Sequence, residues 1–162
     1  MKGFIALCRG LNGWMNTVAE AVLFIMMTLT VIDVVFRALY KPIVGTYELV
    51  AISGAIVIGF AVPRTSWEKG HVYVDFLVER RSDAVRKGFF IATRLVGIVL
   101  FALLSWNLFV KGAHLQKGGE VSMTLHIPYY PAAYGLAFCF LVESLVLMAD
   151  IARIFAGENR YE

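Results

Sequence analysis

The sequence contains four long runs of mostly apolar residues, and this pattern restricts what the chain can fold into. The hydrocarbon core of a bilayer is roughly 30 Å thick and needs about 20 apolar residues in an α-helix to cross it. We therefore predict transmembrane helices over about residues 18–39, 47–63, 89–110 and 129–154. The predicted fold class is all-α, an integral membrane protein with a single membrane domain over residues 1–162.

The composition agrees with a membrane protein. Hydrophobic residues make up 59% of the chain and charged residues 17%, whereas soluble domains are about half apolar and about a quarter charged. The net charge is +3. In a membrane protein such an excess indicates Lys and Arg in cytoplasmic loops, and no nucleic-acid partner is expected.

The positive charges near the helix ends predict the orientation. One side holds both termini and the middle connection and carries eleven Lys and Arg: Lys2, Arg9, Arg64, Lys69, Arg80, Arg81, Arg86, Lys87, Arg94, Arg153 and Arg160. The opposite side carries four: Arg37, Lys41, Lys111 and Lys117. Both termini are therefore predicted to be cytoplasmic. The first run is expected to be a membrane helix rather than a cleaved signal peptide, because it is long and no small-x-small site follows it.

The middle connection is the longest, and its later part, about residues 72–87, interleaves apolar and basic residues. Phe76, Leu77 and Val78 lie beside Arg80 and Arg81. This pattern predicts a short amphipathic helix on the anionic lipids of the inner leaflet. A solvated basic loop that serves only topology is the alternative.

Three charged residues are predicted near the outer helix ends. Asp33 and Arg37 lie four residues apart on one helix face and are expected to pair. Glu48, at the start of the second helix, is expected either to cap that helix or to join the pair. We interpret this group as a helix–helix contact rather than as a substrate or ion site.

Charges within the spans are costly and need partners. Arg94 and Asp150 lie at similar depths in the third and fourth helices, which predicts an ion pair. Glu143 lies about 10 Å deeper than Asp150 by helical rise. It is expected to be protonated or to meet a partner on another polypeptide, and an ion-coupling carboxylate is the alternative.

Small residues repeat every four positions in the second helix, at Ala51, Ala55 and Gly59. Such a stripe lets a neighbouring helix approach closely, within the chain or outside it. No cofactor is expected, because the histidines are not placed to ligate a membrane haem. The sequence also lacks a metal-ligand spacing, a catalytic triad and a nucleotide-binding motif, so no enzyme is predicted.

Several local signatures occur together, in order, over nearly the whole chain. They are DVVFR at 33–37, YEL at 47–49, Arg64, HVYVD from His71 to Asp75, Ser122, and IP at 127–128 before a helix with Gly135. With the length and the four spans, they make the chain resemble the small membrane subunit, DctQ type, of tripartite ATP-independent periplasmic (TRAP) transporters.

The resemblance implies a multi-pass subunit of the bacterial inner membrane with two protein partners. A large polytopic membrane subunit would carry the substrate path, and a periplasmic binding protein would deliver an organic acid, of dicarboxylate or sugar-acid type. Uptake would be driven by sodium, and the small subunit would brace the large one. His71, Asp75, Ser122 and Pro128 are then family-signature positions. Arg64 joins the charges that are expected at helix–helix or subunit interfaces, which are Asp33, Arg37, Glu48, Arg94, Glu143 and Asp150.

Two further expectations concern function. The outer loops are expected to contact the binding protein through Lys41, Lys111 and Lys117. The rival functions are an autonomous ion-coupled transporter that uses Glu143, and a membrane anchor subunit of a redox enzyme, which would bind haem.

Overall fold

The computed structural model describes residues 2–68 and 83–155 and consists of α-helices: α1 (Lys2–Leu39), α2 (Thr46–Trp67), α3 (Asp83–Gly118) and α4 (Tyr130–Phe155). Each of the four is long and apolar enough to cross a membrane, and none of the described residues belongs to a named strand. This confirms the predicted all-α fold with four spanning helices. The predicted interfacial helix lies largely outside the described residues, and residues 83–87 of that segment begin α3.

The helices extend beyond the apolar spans that hydropathy predicts. α1 begins at Lys2 rather than near residue 18, and α3 runs from Asp83 to Gly118. Hydropathy identifies only the apolar part of a helix, which lies in the hydrocarbon core. The polar turns on either side can remain helical in the headgroup zone or in water. α2 also continues through Pro63 to Trp67, although proline removes one backbone hydrogen bond from a helix.

The helices are antiparallel to their neighbours in the chain, which gives the bundle two different ends. We call the end that holds the start of α1, the end of α2, the start of α3 and the end of α4 the terminal end. The other, formed by the α1–α2 and α3–α4 connections, we call the loop end. Within the described residues α4 packs against each of the other helices, and α1 packs mainly against α2.

The buried core lies towards the terminal end. Its cluster joins side chains from α1, α2 and α4: Cys8, Met15, Trp67, Cys139, Val142, Val146 and Ala149. α4 packs against the other three helices, so about 44% of its most apolar 18-residue stretch is buried. The corresponding share is 11% in α1 and in α3. α1 and α3 therefore expose long apolar faces, which suit lipid or another membrane protein.

Both connections at the loop end are short and structured. Gly45 precedes α2 with a φ of 84°, a conformation that residues with a Cβ rarely adopt. Leu125 of the α3–α4 loop packs on Gly45 so closely that a Cβ there would lie 2.4 Å from Leu125 Cγ. The glycine thus permits both the turn and the contact between the two connections.

Candidate functional site

The terminal end contains a cluster of buried charges, which we call the terminal cluster: Arg94 from α3 with Asp150 and Arg153 from α4. Arg94 Nη2 lies 3.5 Å from Asp150 Oδ2, and Arg153 Nη1 lies 3.9 Å from Asp150 Oδ1. Arg153 also stacks on α2, with its Cζ 3.8 Å from the centroid of the Trp67 ring. One carboxylate between two guanidinium groups therefore links α3 to α4, and the stacked ring extends the link to α2.

Glu143 is completely buried, with 0% of its surface exposed. The Ser66 hydroxyl of α2 donates a hydrogen bond to Glu143 Oε1. Glu143 Oε2 has no hydrogen-bond partner among the described residues. The structure thus provides a partner for Glu143 within the chain, on a different helix from Arg94.

Sequence reasoning missed Ser66 because the second span was ended at Pro63. Gly59, Pro63 and Ser66 are all buried and are spaced by four and three residues, which is the spacing of one helix face. That periodicity is a signal that would have extended the helix and placed Ser66 toward α4. Asn12, also missed, is fully buried in α1, and neither of its amide atoms has a partner in the described part of the chain.

At the loop end, the structure brings Asp33 and Arg37 together. Arg37 Nη2 donates to Asp33 Oδ2 at 2.9 Å, and the backbone N–H of Ile43 donates to Asp33 Oδ1 at 2.8 Å. Asp33 is buried, while the Arg37 side chain is largely exposed. The carboxylate therefore fastens the α1–α2 connection onto the end of α1.

Glu48 does not join that pair, and among the described residues no side chain caps the start of α2. Its two carboxylate oxygens instead accept hydrogen bonds from the backbone N–H groups of Thr124 and Leu125, at 2.8 and 3.0 Å. These amides lie in the α3–α4 loop, 76 and 77 residues away. Glu48 therefore ties the two connections of the loop end to each other.

The signature residues Ser122 and Pro128 both lie in the α3–α4 loop and help to shape it. Ser122 N donates to Ile127 O at 2.9 Å, and Ile127 N donates back to Ser122 Oγ at 3.1 Å. Pro128 forms an isolated antiparallel bridge with Val121. The other signature pair, His71 and Asp75, lies outside the described residues.

Gly59, the last member of the small-residue stripe, lies in a close helix contact. A Cβ on Gly59 would lie 2.5 Å from Leu136 Cδ2 and 3.6 Å from Cys139 Cβ, both in α4. Ala55 is half-buried and Ala51 is exposed. Gly59 therefore allows α2 and α4 to approach closely.

The remaining predicted residues lie apart from these contacts. Arg64 pairs with Glu68, the residue that follows the end of α2, and both side chains are partly exposed. Lys41, Lys111 and Lys117 are exposed at the loop end. In the described part of the chain, no three His, Cys, Asp or Glu side chains lie close enough to hold a metal ion.

These polar contacts join helices and loops to each other. Ser105 adds a further link of this kind, because its hydroxyl donates to the Ala137 carbonyl of α4 at 2.8 Å. Polar links are effective in membrane proteins, where lipid offers no hydrophobic drive for helices to associate. These contacts make the four helices one connected unit.

Comparison with known proteins extends this picture. A family model described as tripartite ATP-independent periplasmic transporters, DctQ component, matches residues 26–157. Searches of the curated proteins and of the solved structures give no match to the chain. The match covers most of the sequence and confirms the resemblance in the residue signatures. With four membrane-spanning helices tied together by buried polar contacts, the chain belongs to the DctQ family, the small membrane components of TRAP transporters.

Proposed function

We propose that this chain is the non-catalytic small subunit of a sodium-driven, binding-protein-dependent transporter for organic acids, and that it braces the large transport subunit. One observation carries the bracing role: the buried charges are engaged inside the bundle, while α1 and α3 expose long apolar faces. A unit stiffened by internal polar links, with free apolar faces, suits a partner in the bilayer. The substrate type, a dicarboxylate or sugar acid, follows from the family alone.

Membership of the family makes the chain a multi-pass protein of the bacterial inner membrane. We infer that both termini are cytoplasmic, because the Lys and Arg near the helix ends are concentrated on that side of the sequence. The loop end, with Glu48 and the α3–α4 loop, then faces the periplasm. The terminal cluster lies towards the cytoplasmic leaflet.

The subunit role predicts the outcome of a purification. Tagged chain, extracted in mild detergent from cells that express the whole transport system, should be recovered with one large polytopic membrane protein in equal amounts. The purified chain reconstituted alone in vesicles should transport no organic acid. Recovery of the chain as a stable oligomer of itself, or transport by the isolated chain that Glu143→Gln abolishes, would contradict the proposal.

The exposed lysines of the loop end are proposed contacts for the acidic surface of the binding protein. Reversing all three charges (Lys41→Glu, Lys111→Glu and Lys117→Glu) should slow uptake at limiting binding protein, by roughly tenfold at low salt, because charges at the rim of an interface act mainly on the association rate. Saturating binding protein should restore most of the rate. Initial uptake rates in vesicles measure the effect.

The matched control replaces the same three lysines with arginine, which keeps the charge and should leave uptake close to that of the wild type. If the glutamate variant and the wild type take up substrate at the same rate at every concentration of binding protein, the proposed contact is refuted.

A further inference from the structure

The α3–α4 loop, residues 119–129, makes several contacts within itself and with the start of α2. Ser122 and Ile127 exchange two hydrogen bonds across its base, at 2.9 and 3.1 Å. Val121 and Pro128 form a bridge beside them. Although the loop lies outside the apolar spans, which end at Gly118 and resume at Tyr130, its backbone is closely organised.

A second set of contacts fixes the tip of the loop to the start of α2. The Glu48 carboxylate accepts from the consecutive amides of Thr124 and Leu125. The Leu125 side chain packs on Gly45 next to them. Hydrogen bonds to a charged group are stronger than those between neutral groups, so Glu48 is well suited to hold the tip in place.

Met123 lies at the tip of this loop, and 95% of its surface is exposed. No other large apolar side chain in the described part of the chain is as exposed. Methionine is flexible and polarisable, and it is used at surfaces that bind partners. An apolar side chain displayed at the tip of a fixed loop is therefore suited to enter a recess in another molecule.

The surroundings of Met123 favour a protein partner of acidic character over lipid. His126, in the same loop, is exposed, and so are Lys41, Lys111 and Lys117 on the adjoining segments. The acidic groups Asp33 and Glu48 are engaged by Arg37 and by loop amides, which leaves Glu120 as the exposed acid among the described residues of this loop. Other apolar side chains are exposed at this end as well, on Leu39, Tyr40, Val44 and Tyr47. The face therefore combines apolar side chains with an excess of exposed basic ones, a mixture that suits a protein interface.

We propose that the α3–α4 loop is a preformed docking element in which Met123 is the apolar anchor for an acidic soluble protein outside the bilayer, and Glu48 is a positioning residue. This inference rests on the proposed function, which makes that partner the periplasmic binding protein. A fixed loop loses little conformational freedom on binding, so more of the contact energy is available for affinity.

The test measures the affinity of the binding protein for the complex of this chain with its large subunit, in nanodiscs. Met123→Ser removes the apolar anchor and should weaken binding about tenfold or more, as expected for a large apolar side chain that is buried on association. Met123→Leu keeps the apolar volume and should bind within about threefold of the wild type.

Glu48→Gln tests the positioning role separately. The glutamine amide presents an NH2 group where a loop amide needs an acceptor. We therefore expect faster hydrogen exchange at the Thr124 and Leu125 amides and weaker binding, although Met123 is still present. If both amides exchange in Glu48→Gln at the wild-type rate, the positioning role of Glu48 is overturned.

A photoreactive phenylalanine derivative incorporated at position 123 identifies what the tip of the α3–α4 loop contacts. It should crosslink to the binding protein, whereas the same group at position 106, within the apolar span of α3, should not. Crosslinking of position 123 to lipid alone would overturn the inference. If the wild-type complex binds the protein and Met123→Ser binds it equally well, this inference fails and the proposed function stands; if the wild-type complex binds no such protein, both fail.

Discussion

Replacing Asp150 with leucine should lower the free energy of unfolding by about 3–5 kcal/mol, the range found when one partner of a buried ion pair is removed. Asp150 is the carboxylate that both Arg94 and Arg153 approach, at 3.5 and 3.9 Å, and both arginines are buried. Its loss leaves two guanidinium groups close together without that carboxylate. Unfolding of the purified chain in mild detergent, followed by tryptophan fluorescence, measures the change.

Two comparison variants make this prediction specific. Arg94→Leu should lower the free energy of unfolding by less than Asp150→Leu does, because Asp150 keeps Arg153 as a partner. Glu68→Leu removes a carboxylate from a partly exposed pair with Arg64, so its effect should stay within about 1 kcal/mol. If Asp150→Leu unfolds like the wild type, or if Arg94→Leu is the more damaging change, the terminal cluster does not stabilise the bundle in this way.

Replacing Gly59 with leucine should destabilise the chain by about 3 kcal/mol, at the upper end of the range for overpacked sites. A Cβ at this position would lie 2.5 Å from Leu136 Cδ2 and 3.6 Å from Cys139 Cβ. Leu136 Cδ2 is the end of a flexible side chain and can move for an alanine, but a leucine must push α2 away from α4. That displacement also separates Ser66 from Glu143.

Gly54 provides the matched control, because it lies in the same helix and a Cβ there meets nothing within 4 Å. Gly54→Leu should therefore change the free energy of unfolding by no more than about 0.5 kcal/mol. The stability of Gly59→Ala should lie between those of the two leucine variants. Thermal unfolding and the monodisperse fraction on size exclusion report the difference. Equal effects of leucine at both positions would show that α2 and α4 do not approach closely at Gly59.

Much of this chain follows from local patterns in its sequence. Hydropathy predicts four spanning helices because the bilayer thickness sets a minimum length of apolar helix. Spacing along one helix predicts the Asp33–Arg37 pair, and matching depth predicts the Arg94–Asp150 pair, both of which are present. The residue signatures predict the family that the family model then matches.

Other contacts are decided by how the helices are rotated and placed against one another. Helix periodicity can place Ser66 on the face toward α4, but no local pattern pairs it with Glu143, or Glu48 with the loop amides, because each pair is separated by more than 70 residues. The stripe of Ala51, Ala55 and Gly59 does not tell which helix packs on it, whereas the structure places Leu136 and Cys139 of α4 against Gly59. Apolar length and charge spacing act within one helix and can be read along the chain, whereas a partner on another helix depends on side-chain packing across the whole bundle.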